Sequence, residues 1–207
     1  KVTGIAQGES GMVRGEIVPP GKCPSCGNEL LQEDIFLRCI NPRCEAVRLE
    51  NLRFFVSKDA MDIEFFGPEL VTRLYRAGKI KSFPDFFRLT KQDLLSVERM
   101  GDKLADKILE SIDSRRSITL SHCLKSLGIR NVGEHIASVL ARSAVTLEKL
   151  RSLDADELKS IHEIGPGVAR SVYDYFHSPD TSGITDELAG AGVNILPEEK
   201  SAGTNEN

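Results

Sequence analysis

The sequence has no tryptophan and no long apolar run. No stretch approaches the roughly 18 uninterrupted apolar residues of a membrane span, so we expect no membrane association. The first residues, KVTGIAQGESG, lack the apolar core of a signal peptide, and the chain starts with Lys1 rather than Met, as a piece of a longer protein would. Without a secretion signal, the odd number of five cysteines argues against a disulfide framework and indicates a reducing, cytoplasmic compartment.

The sequence also lacks a dense basic patch. The formal net charge is −4, and the last thirty residues hold six acidic side chains and one basic side chain, so the rest of the chain is close to neutral. The large positive field on which many nucleic-acid-binding proteins rely is therefore missing. Any binding to DNA or RNA must use other groups.

Four of the five cysteines stand within 22 positions, in the stretch CPSCGNELLQEDIFLRCINPRCE. Cys23 and Cys26 form one close pair, and Cys39 and Cys44 form a second pair after an arm of twelve residues. Two pairs of thiolates at this spacing are typical of a tetrahedral zinc site that leaves no position open for water. The sequence therefore predicts a structural zinc finger. Four free or redox-active cysteines, or an iron–sulfur cluster, are the alternatives.

The arm between the two cysteine pairs is long enough for a small β-hairpin. Its alternating apolar residues Leu31, Ile35 and Leu37 are expected to form a minimal core. A module of this size buries too little surface to fold alone, and structural zinc supplies about 10–16 kcal/mol in comparable peptides. The remaining cysteine, Cys123, lies on an apolar helical face and is predicted to be buried rather than reactive.

From residue 48 onward the hydrophobic period is that of helices, and one pattern occurs four times. Each copy reads apolar, glycine, two variable residues, apolar, small. The glycines are 34, 32 and 32 residues apart, at Gly67, Gly101, Gly133 and Gly165. A fixed period near 32 indicates one supersecondary unit used repeatedly, and the apolar residues around each glycine predict helix, tight turn, helix. Helix caps are predicted at Thr90 and Asp154.

The repeated turn offers a way to bind anions without a basic surface. Each glycine is expected to adopt the positive φ that a tight turn needs, and the small residue four positions later lets two helices approach. The first backbone amides of the second helix have no partner within it, and together with the helix dipole they form an anion site. Gly165 and Gly167 in IGPGVA make the fourth copy the best match, and Val71 makes the first copy the weakest. The alternative for any one copy is a plain cap or turn.

Basic side chains near these glycines could add phosphate contacts. They are Lys103, Lys107, Arg130 and Arg170. The alternative for each is a solvated surface charge. Two histidines, His135 and His162, also flank turns, and we interpret them as surface or cap residues because the sequence shows no metal or catalytic partner for either.

The repeated unit resembles the helix-hairpin-helix motif, a family that grips the DNA backbone through the minor groove without reading sequence. In chain order, CPSCG, RCINPRC, FVSKDAMDIEFFG and LGIRNVGEHIA look like the C-terminal half of a bacterial NAD-dependent DNA ligase. The likeness covers about residues 16–197, and the AMDIE segment at residues 60–64 is distinctive.

The resemblance implies a mainly α fold in four parts. Residues 1–20 would be the last β part of an oligonucleotide-binding barrel, 21–48 the four-cysteine zinc finger, 49–197 a domain of four helix-hairpin-helix repeats, and 198–207 a disordered tail. It implies a monomer that grips nicked duplex DNA, independently of sequence, during nick sealing in replication and repair. The parent enzyme would use NAD and Mg²⁺, and this chain itself would bind zinc.

The sequence departs from the family pattern at two points. The family usually follows its fourth cysteine with Pro-Ala-Gln, where this chain has Glu45, Ala46 and Val47, so the packing after the finger stays open. The family's catalytic lysine stands in a Lys-x-Asp-Gly string, which this sequence does not contain. The chain is therefore expected to be non-catalytic by itself.

Other functions fit parts of the pattern. One is the helical-hairpin DNA-binding part of another repair or recombination factor, which would lack the FVSKDAMDIE segment. Another is a zinc-dependent protein–protein adaptor that binds no nucleic acid. A glycosylase is disfavoured, because Asp180 and Asp186 are expected in a loop rather than in regular structure.

Overall fold

A computed structural model describes residues 19–33 and 35–198. The β segment expected at residues 1–20 lies outside the described residues except for its last two, and the expected tail lies outside them from residue 199 onward. Glu198 is described, and its carboxylate accepts hydrogen bonds from the amide and hydroxyl groups of Ser121, both at 3.0 Å. The chain divides into two compact units between Cys44 and Glu45.

The first unit contains the predicted β-hairpin. Strand β1 (Leu30–Glu33) pairs with the antiparallel strand β2 (Phe36–Cys39), with Leu30 opposite Cys39. The chain before the hairpin turns at Gly27, whose φ of 73° is the left-handed conformation that glycine adopts at little cost. The amide of Gly27 donates to the carbonyl of Cys23 at 2.8 Å, so this turn holds the first cysteine pair together.

The second unit is mainly helical, which confirms the predicted fold class. Between residues 45 and 198 it has eleven helices, α1 (Glu45–Val56), α2 (Pro68–Arg76), α3 (Phe83–Phe86), α4 (Lys91–Leu95), α5 (Asp102–Ser114), α6 (Leu120–Ser126), α7 (Glu134–Ala144), α8 (Leu147–Ser152), α9 (Ala155–Ser160), α10 (Pro166–His177) and α11 (Ile184–Gly190). Within the part of the chain that the structure describes, none of the helices has both the length and the apolar character needed to cross a membrane.

Helices pack in sequential pairs around the repeated glycines. Helix α4 packs on α5, α6 on α7, and α9 on α10, and each connection contains one glycine of the repeat. These three copies are helix, turn, helix, as predicted. The first copy differs, because α1 ends at Val56 and a longer connection leads to Gly67 and α2. The predicted caps are present, since the side chains of Thr90 and Asp154 accept hydrogen bonds from backbone amides at the starts of α4 and α9.

Several aromatic side chains pack against one another in the helical core. Phe55 of α1 stacks on Phe83 with 4.3 Å between the ring centroids, and Phe66 meets Phe86 edge-on at 5.3 Å. Cys123 is 1% exposed within the same core, and burial raises the pKa of its thiol to about 12. The prediction that this cysteine is a buried apolar residue is therefore confirmed.

The helical unit also contains two short strands, in a region where the hydrophobic period of the sequence indicated helices. Strand β3 (Ser117–Thr119) lies between α5 and α6, and strand β4 (Asn194–Leu196) follows α11. They pair in parallel, with Ile118 opposite Ile195. The last described part of the chain is thereby attached to the segment that joins the second and third glycine repeats.

Candidate metal centre and nucleic-acid interface

The four clustered cysteines bring their sulfur atoms together at the distances of a tetrahedral metal site. All four Sγ atoms lie within 4.8 Å of one another, with Cys23 and Cys44 at 3.8 Å and Cys26 and Cys39 at 3.5 Å. Zinc–sulfur bonds of about 2.3 Å in a tetrahedron place sulfurs about 3.8 Å apart. A disulfide needs about 2.05 Å, and all four cysteines are free. The donor set and its geometry therefore fit a Zn²⁺ ion.

The four thiols and the backbone amides beside them influence one another's ionisation. The backbone amide of Asn28 lowers the pKa of Cys26. The backbone amide of Asn41 acts on Cys39 in the same direction, but burial and the three neighbouring thiols outweigh it and raise the pKa of Cys39 to about 12. A divalent cation held by the four sulfurs would favour their thiolate forms.

The minimal core predicted for the hairpin is wrong. Leu31 is 41% exposed, Leu37 is 36% exposed and Ile35 is 88% exposed. Among the residues of this unit that the structure describes, the sheet has only two strands of four residues, and no further layer covers either of its faces. An apolar core contributes little to this module, and the cysteine cluster is the feature that can hold it.

The four repeat glycines do not adopt the positive φ that the sequence suggested. Their φ angles are −68°, −106°, −86° and −77°, and each glycine is the residue immediately before a helix, at Gly67, Gly101, Gly133 and Gly165. These angles are open to any residue. A β-carbon added at any of the four would meet no protein atom within 4 Å. Neither backbone strain nor packing within the described protein requires glycine here.

The left-handed residue of each turn stands two positions before the glycine, and in no copy is it a glycine. Its φ lies between 63° and 71° in all four copies, at Phe65, Arg99, Asn131 and Glu163. Residues other than glycine adopt this conformation at an energetic cost, which is smallest for asparagine. The same backbone geometry recurs four times although the side chains differ, so the repeat is structural as well as sequential.

The helices that follow the repeat glycines begin without a side-chain cap. No side chain accepts a hydrogen bond from the first turn of α2, α5, α7 or α10. In contrast, a threonine or aspartate side chain accepts from the first amides of α4, α6, α8 and α9. Uncapped helix N-termini point polarised amides outward and favour anions.

The small residues of the repeat lie where two helices meet, as predicted. Val71, Ala105, Ala137 and Ala169 are each at most 2% exposed. Each of them donates its amide hydrogen bond to the carbonyl of the repeat glycine four residues earlier, at 2.9–3.2 Å. The glycine therefore begins the helix, and the small residue lets that helix pack closely on its neighbour.

Acidic side chains distinguish the four helix starts. Glu69, Asp102 and Glu134 stand in the first turns of α2, α5 and α7, whereas the first turn of α10 has no acidic residue. The carboxylates of Asp102 and Glu134 contact lysines, Lys91 at 3.3 Å and Lys125 at 3.1 Å. By this measure, the start of α10 is the most favourable of the four for an anion.

The basic residues predicted to assist lie at separate turns. Lys103 is exposed at the second position of α5, and Lys107, one turn later, has its ammonium group 5.7 Å from the centre of the Phe65 ring. Arg130 is exposed next to Asn131. The side chain of Arg170 contacts the carboxylate of Asp174 at 2.9 Å, so part of its charge is already balanced.

Two contacts between turns were not evident in the sequence. Nε2 of His135, in the first turn of α7, lies 2.6 Å from Oε2 of Glu163 in the fourth turn, and Nδ1 of His162 lies 3.5 Å from Oε1 of the same glutamate. The first two turns are joined by Arg73, which contacts Glu69 at 3.3 Å and donates to the carbonyl of Glu98 at 2.8 Å. The turns are therefore held in two pairs.

One further aspartate differs from its expected position. Asp186 lies in α11, and its carboxylate contacts the guanidinium group of Arg151 at 2.6 Å. The expectation of a loop at Asp186 is wrong, since an ion pair holds the start of this short helix against α8. Asp180 lies in a turn.

Comparison with known protein families agrees with this division into two pairs of turns. Residues 57–114 match the SAM-like helix-hairpin-helix tandem, and residues 122–184 match the helix-hairpin-helix motif. The first match contains the glycines at 67 and 101, and the second contains those at 133 and 165. Most of the helical unit therefore matches helix-hairpin-helix families.

Curated relatives are similar to most of this chain. A DNA ligase of Halalkalibacterium halodurans is 42% identical over 85% of the chain, and a DNA ligase of Staphylococcus saprophyticus is 38% identical over 86%. A DNA ligase of Geotalea uraniireducens is 38% identical over 89% of the chain. The chain spans about a quarter of the length of these relatives, 27–28%. The resemblance to DNA ligases is thereby confirmed.

Proposed function

We propose that this chain is the DNA-binding region of an NAD-dependent DNA ligase and grips nicked duplex DNA through backbone phosphates. The observation that carries the proposal is that four helices begin without a side-chain cap, each directly after a glycine. Neither the backbone angles nor the packing of the described protein requires glycine at these four positions. Glycine at such a position lets a ligand approach the backbone closely. The helix-hairpin-helix matches and the DNA ligase relatives support DNA as that ligand.

Backbone amides would make the contacts, and the base sequence would not be read. At the fourth turn, Pro166 has no amide hydrogen and the amide of Ala169 bonds within the helix, so Gly167 and Val168 are the donors. Phosphate contacts of this kind position a protein on a duplex without specifying bases. The mechanism also accounts for DNA binding by a chain whose net charge is −4.

The cysteine cluster would hold one Zn²⁺ ion, with Cys23, Cys26, Cys39 and Cys44 as its four ligands. Zinc supplies the structural energy that the exposed hairpin lacks and leaves no coordination site for catalysis. We assign the finger to residues 21–48 and the DNA-binding domain to residues 49–197, with the barrel end at residues 1–20 and the tail at 198–207.

Nick sealing itself would be the work of the longer protein. No Lys-x-Asp-Gly string is present in this sequence, and the curated relatives are almost four times as long as the matched segment. We propose that NAD, Mg²⁺ and the nucleotidyl-transfer chemistry belong to that remainder, and that the chain described here acts as a non-catalytic, monomeric grip during replication and repair in the cytoplasm.

A titration of the chain with nicked and intact duplexes at several salt concentrations tests the proposal. The logarithm of the affinity should fall with the logarithm of the salt concentration, with a slope of about 0.9 for each phosphate engaged. Gly165→Leu should weaken binding and lower the slope while the fold stays intact, because a β-carbon at this position meets no protein atom within 4 Å. Gly190→Ala, in similarly open space at the end of α11, is the control. An affinity that is independent of salt concentration, or that Gly165→Leu leaves unchanged, would contradict binding through the DNA phosphates.

One observation favours a second candidate function, a protein–protein adaptor. The hairpin exposes several large apolar residues, with Ile35 at 88%, Ile40 at 64% and Phe36 at 58%. Exposed apolar side chains of this size can mark a protein contact. The same titration separates the two functions, because an adaptor would leave the duplex unbound at every salt concentration.

A further inference from the structure

Two adjacent phenylalanines of the first turn lie in opposite environments. Phe66 is 7% exposed and packs edge-on against Phe86, whereas Phe65 is 48% exposed. The φ of Phe65 is 66°, and for a bulky residue this left-handed conformation is a true outlier. Strained backbone of this kind collects at functional sites.

The surroundings of Phe65 fix its backbone and leave its ring uncovered. The amide of Glu64 donates to the hydroxyl of Ser111 at 2.8 Å, which ties the residue before Phe65 to α5. A groove of about 420 Å³ opens beside the ring and is lined by Glu64, Phe65, Lys107, Glu110, Ser111, Ser114 and Arg115. The ammonium group of Lys107 lies 5.7 Å from the ring centre.

The charges along this groove favour an apolar contact over an ionic one. Lys107 and Arg115 are opposed by Glu64 and Glu110, and Arg115 is already bonded to Asp62 at 2.5 Å. The groove therefore has little net charge with which to attract a phosphate. The group that distinguishes this groove is therefore the exposed aromatic ring of Phe65.

Phe65 is also the aromatic member of a set of four equivalent residues. The left-handed position of the other turns holds Arg99, Asn131 and Glu163. Each of these residues stands two positions before the glycine at which the next helix begins. A group bound at the start of α2 would therefore lie only two residues along the chain from Phe65.

We propose that Phe65 is a DNA-contacting residue, which packs its ring on the deoxyribose and base edge next to the phosphate held by the first turn. This inference rests on the proposed function. It gives the first turn a contact of a different kind from the other three, because an aromatic ring packed on a sugar and a base edge tolerates any base and needs no positive charge.

Binding of the 207-residue chain to a nicked duplex labelled with 2-aminopurine tests this contact. With the unchanged chain, we expect 2-aminopurine fluorescence to rise at one or two positions as the ring disturbs base stacking. Phe65→Ala should abolish that rise and weaken binding by about 5- to 100-fold at fixed salt, with an unchanged salt slope. Phe65→Tyr should keep both signals.

Two further variants separate a direct contact of the ring from an effect on the fold. Phe65→Gly relieves the left-handed strain, so its melting temperature should be equal or higher while its DNA affinity falls as for Phe65→Ala. Leu196→Ala, a 41% exposed apolar residue on β4, should change neither signal. A salt slope that drops by about 0.9 in Phe65→Ala would show that the ring only positions the amides, and would overturn the inference.

The two hypotheses fail in different ways. If the unchanged chain binds DNA with a salt-dependent affinity and Phe65→Ala binds equally well, the Phe65 contact is overturned and the phosphate grip stands. If the unchanged chain does not bind DNA at any salt concentration, both are overturned.

Discussion

Nε2 of His135 and Oε2 of Glu163 lie 2.6 Å apart and join the third glycine turn to the fourth. The imidazole of His135 lowers the pKa of Glu163 below its usual 4.5, so the carboxylate is ionised at neutral pH. An unpartnered negative charge in this turn would oppose an anion at the neighbouring helix starts. The pair therefore fixes the geometry of two turns and holds a carboxylate that would otherwise repel phosphate.

We predict that His135→Ala weakens DNA binding by about threefold to tenfold, because it removes the nearer of the two imidazoles that contact the Glu163 carboxylate beside the proposed phosphate sites. The double variant His135→Ala with Glu163→Gln should recover most of that loss. A filter-binding or fluorescence titration of the three proteins at one salt concentration measures the effect. Equal affinity of the single and double variants would exclude an electrostatic role for Glu163.

We predict that Asp93→Asn lowers the free energy of unfolding by about 1 kcal/mol at pH 7. The ammonium group of Lys79 at 2.8 Å, followed by the Thr90 side chain and amide, lowers the pKa of Asp93 from 3.8 to about 2. A depressed pKa in the folded state means that the carboxylate stabilises the protein above about pH 4, and that this contribution is lost as the pH falls through 2.

Urea unfolding at pH 7, 4 and 2.5, followed by circular dichroism, checks the Asp93 prediction. The difference between Asp93→Asn and the unchanged chain should shrink at the lowest pH. Glu148→Gln, an exposed carboxylate in the first turn of α8, is the matched control. A difference that stays constant with pH would mean that the amide disturbs packing rather than charge.

We predict that the purified chain contains about one zinc ion, and that a strong chelator removes it with loss of the hairpin structure. The helical unit should keep its melting temperature, because its core lies in residues of its own unit. Elemental analysis and NMR spectra recorded before and after chelation measure both effects. Persistence of the hairpin without metal would contradict a structural role for zinc.

Two cysteine variants make the zinc prediction specific. Cys26→Ser should reduce zinc content and leave the helical melting temperature unchanged. Cys123→Ser should retain the zinc and lower that melting temperature, because it places a hydroxyl group in a site that is 1% exposed.

We predict that Ala137→Leu destabilises the helical unit by about 1–3 kcal/mol, since Ala137 is fully buried where α7 meets α6 and the extra volume must displace neighbours. Ser143→Leu, at an exposed position of the same helix, should cost much less. Thermal and urea unfolding of both variants measure the difference. Equal destabilisation would show that the close helix approach is not limiting.

Part of this structure could be predicted from residue spacing. The cysteine pairs indicated the cluster, because thiolates at such intervals have few other uses, and the caps at Thr90 and Asp154 follow from local chemistry. The glycine period indicated the repeat. In these cases the signal lies within a few residues of the feature, and distant packing has little influence on it.

The turn geometry could not be predicted in the same way. Phe65 and Arg99 adopt a left-handed conformation that their side chains disfavour, so the surrounding helices must impose it. The predicted core of the hairpin was wrong for a related reason. Alternating apolar and polar residues predict a buried face only where another layer covers that face. The contact between His135 and Glu163 joins residues of two separate turns, and nothing near either residue announces it.

The parallel pairing of β3 with β4 has a consequence for biosynthesis. Ile118 pairs with Ile195, which the ribosome adds more than seventy residues later. The amide of Asn194 also donates a hydrogen bond to the carbonyl of Arg116 at 2.6 Å. Such distant pairing is slow, because a long loop must close before any contact forms. The pairing of β3 with β4 can therefore form only after residues 194–196 have been synthesised. A nascent chain that stops before Asn194 lacks this pairing.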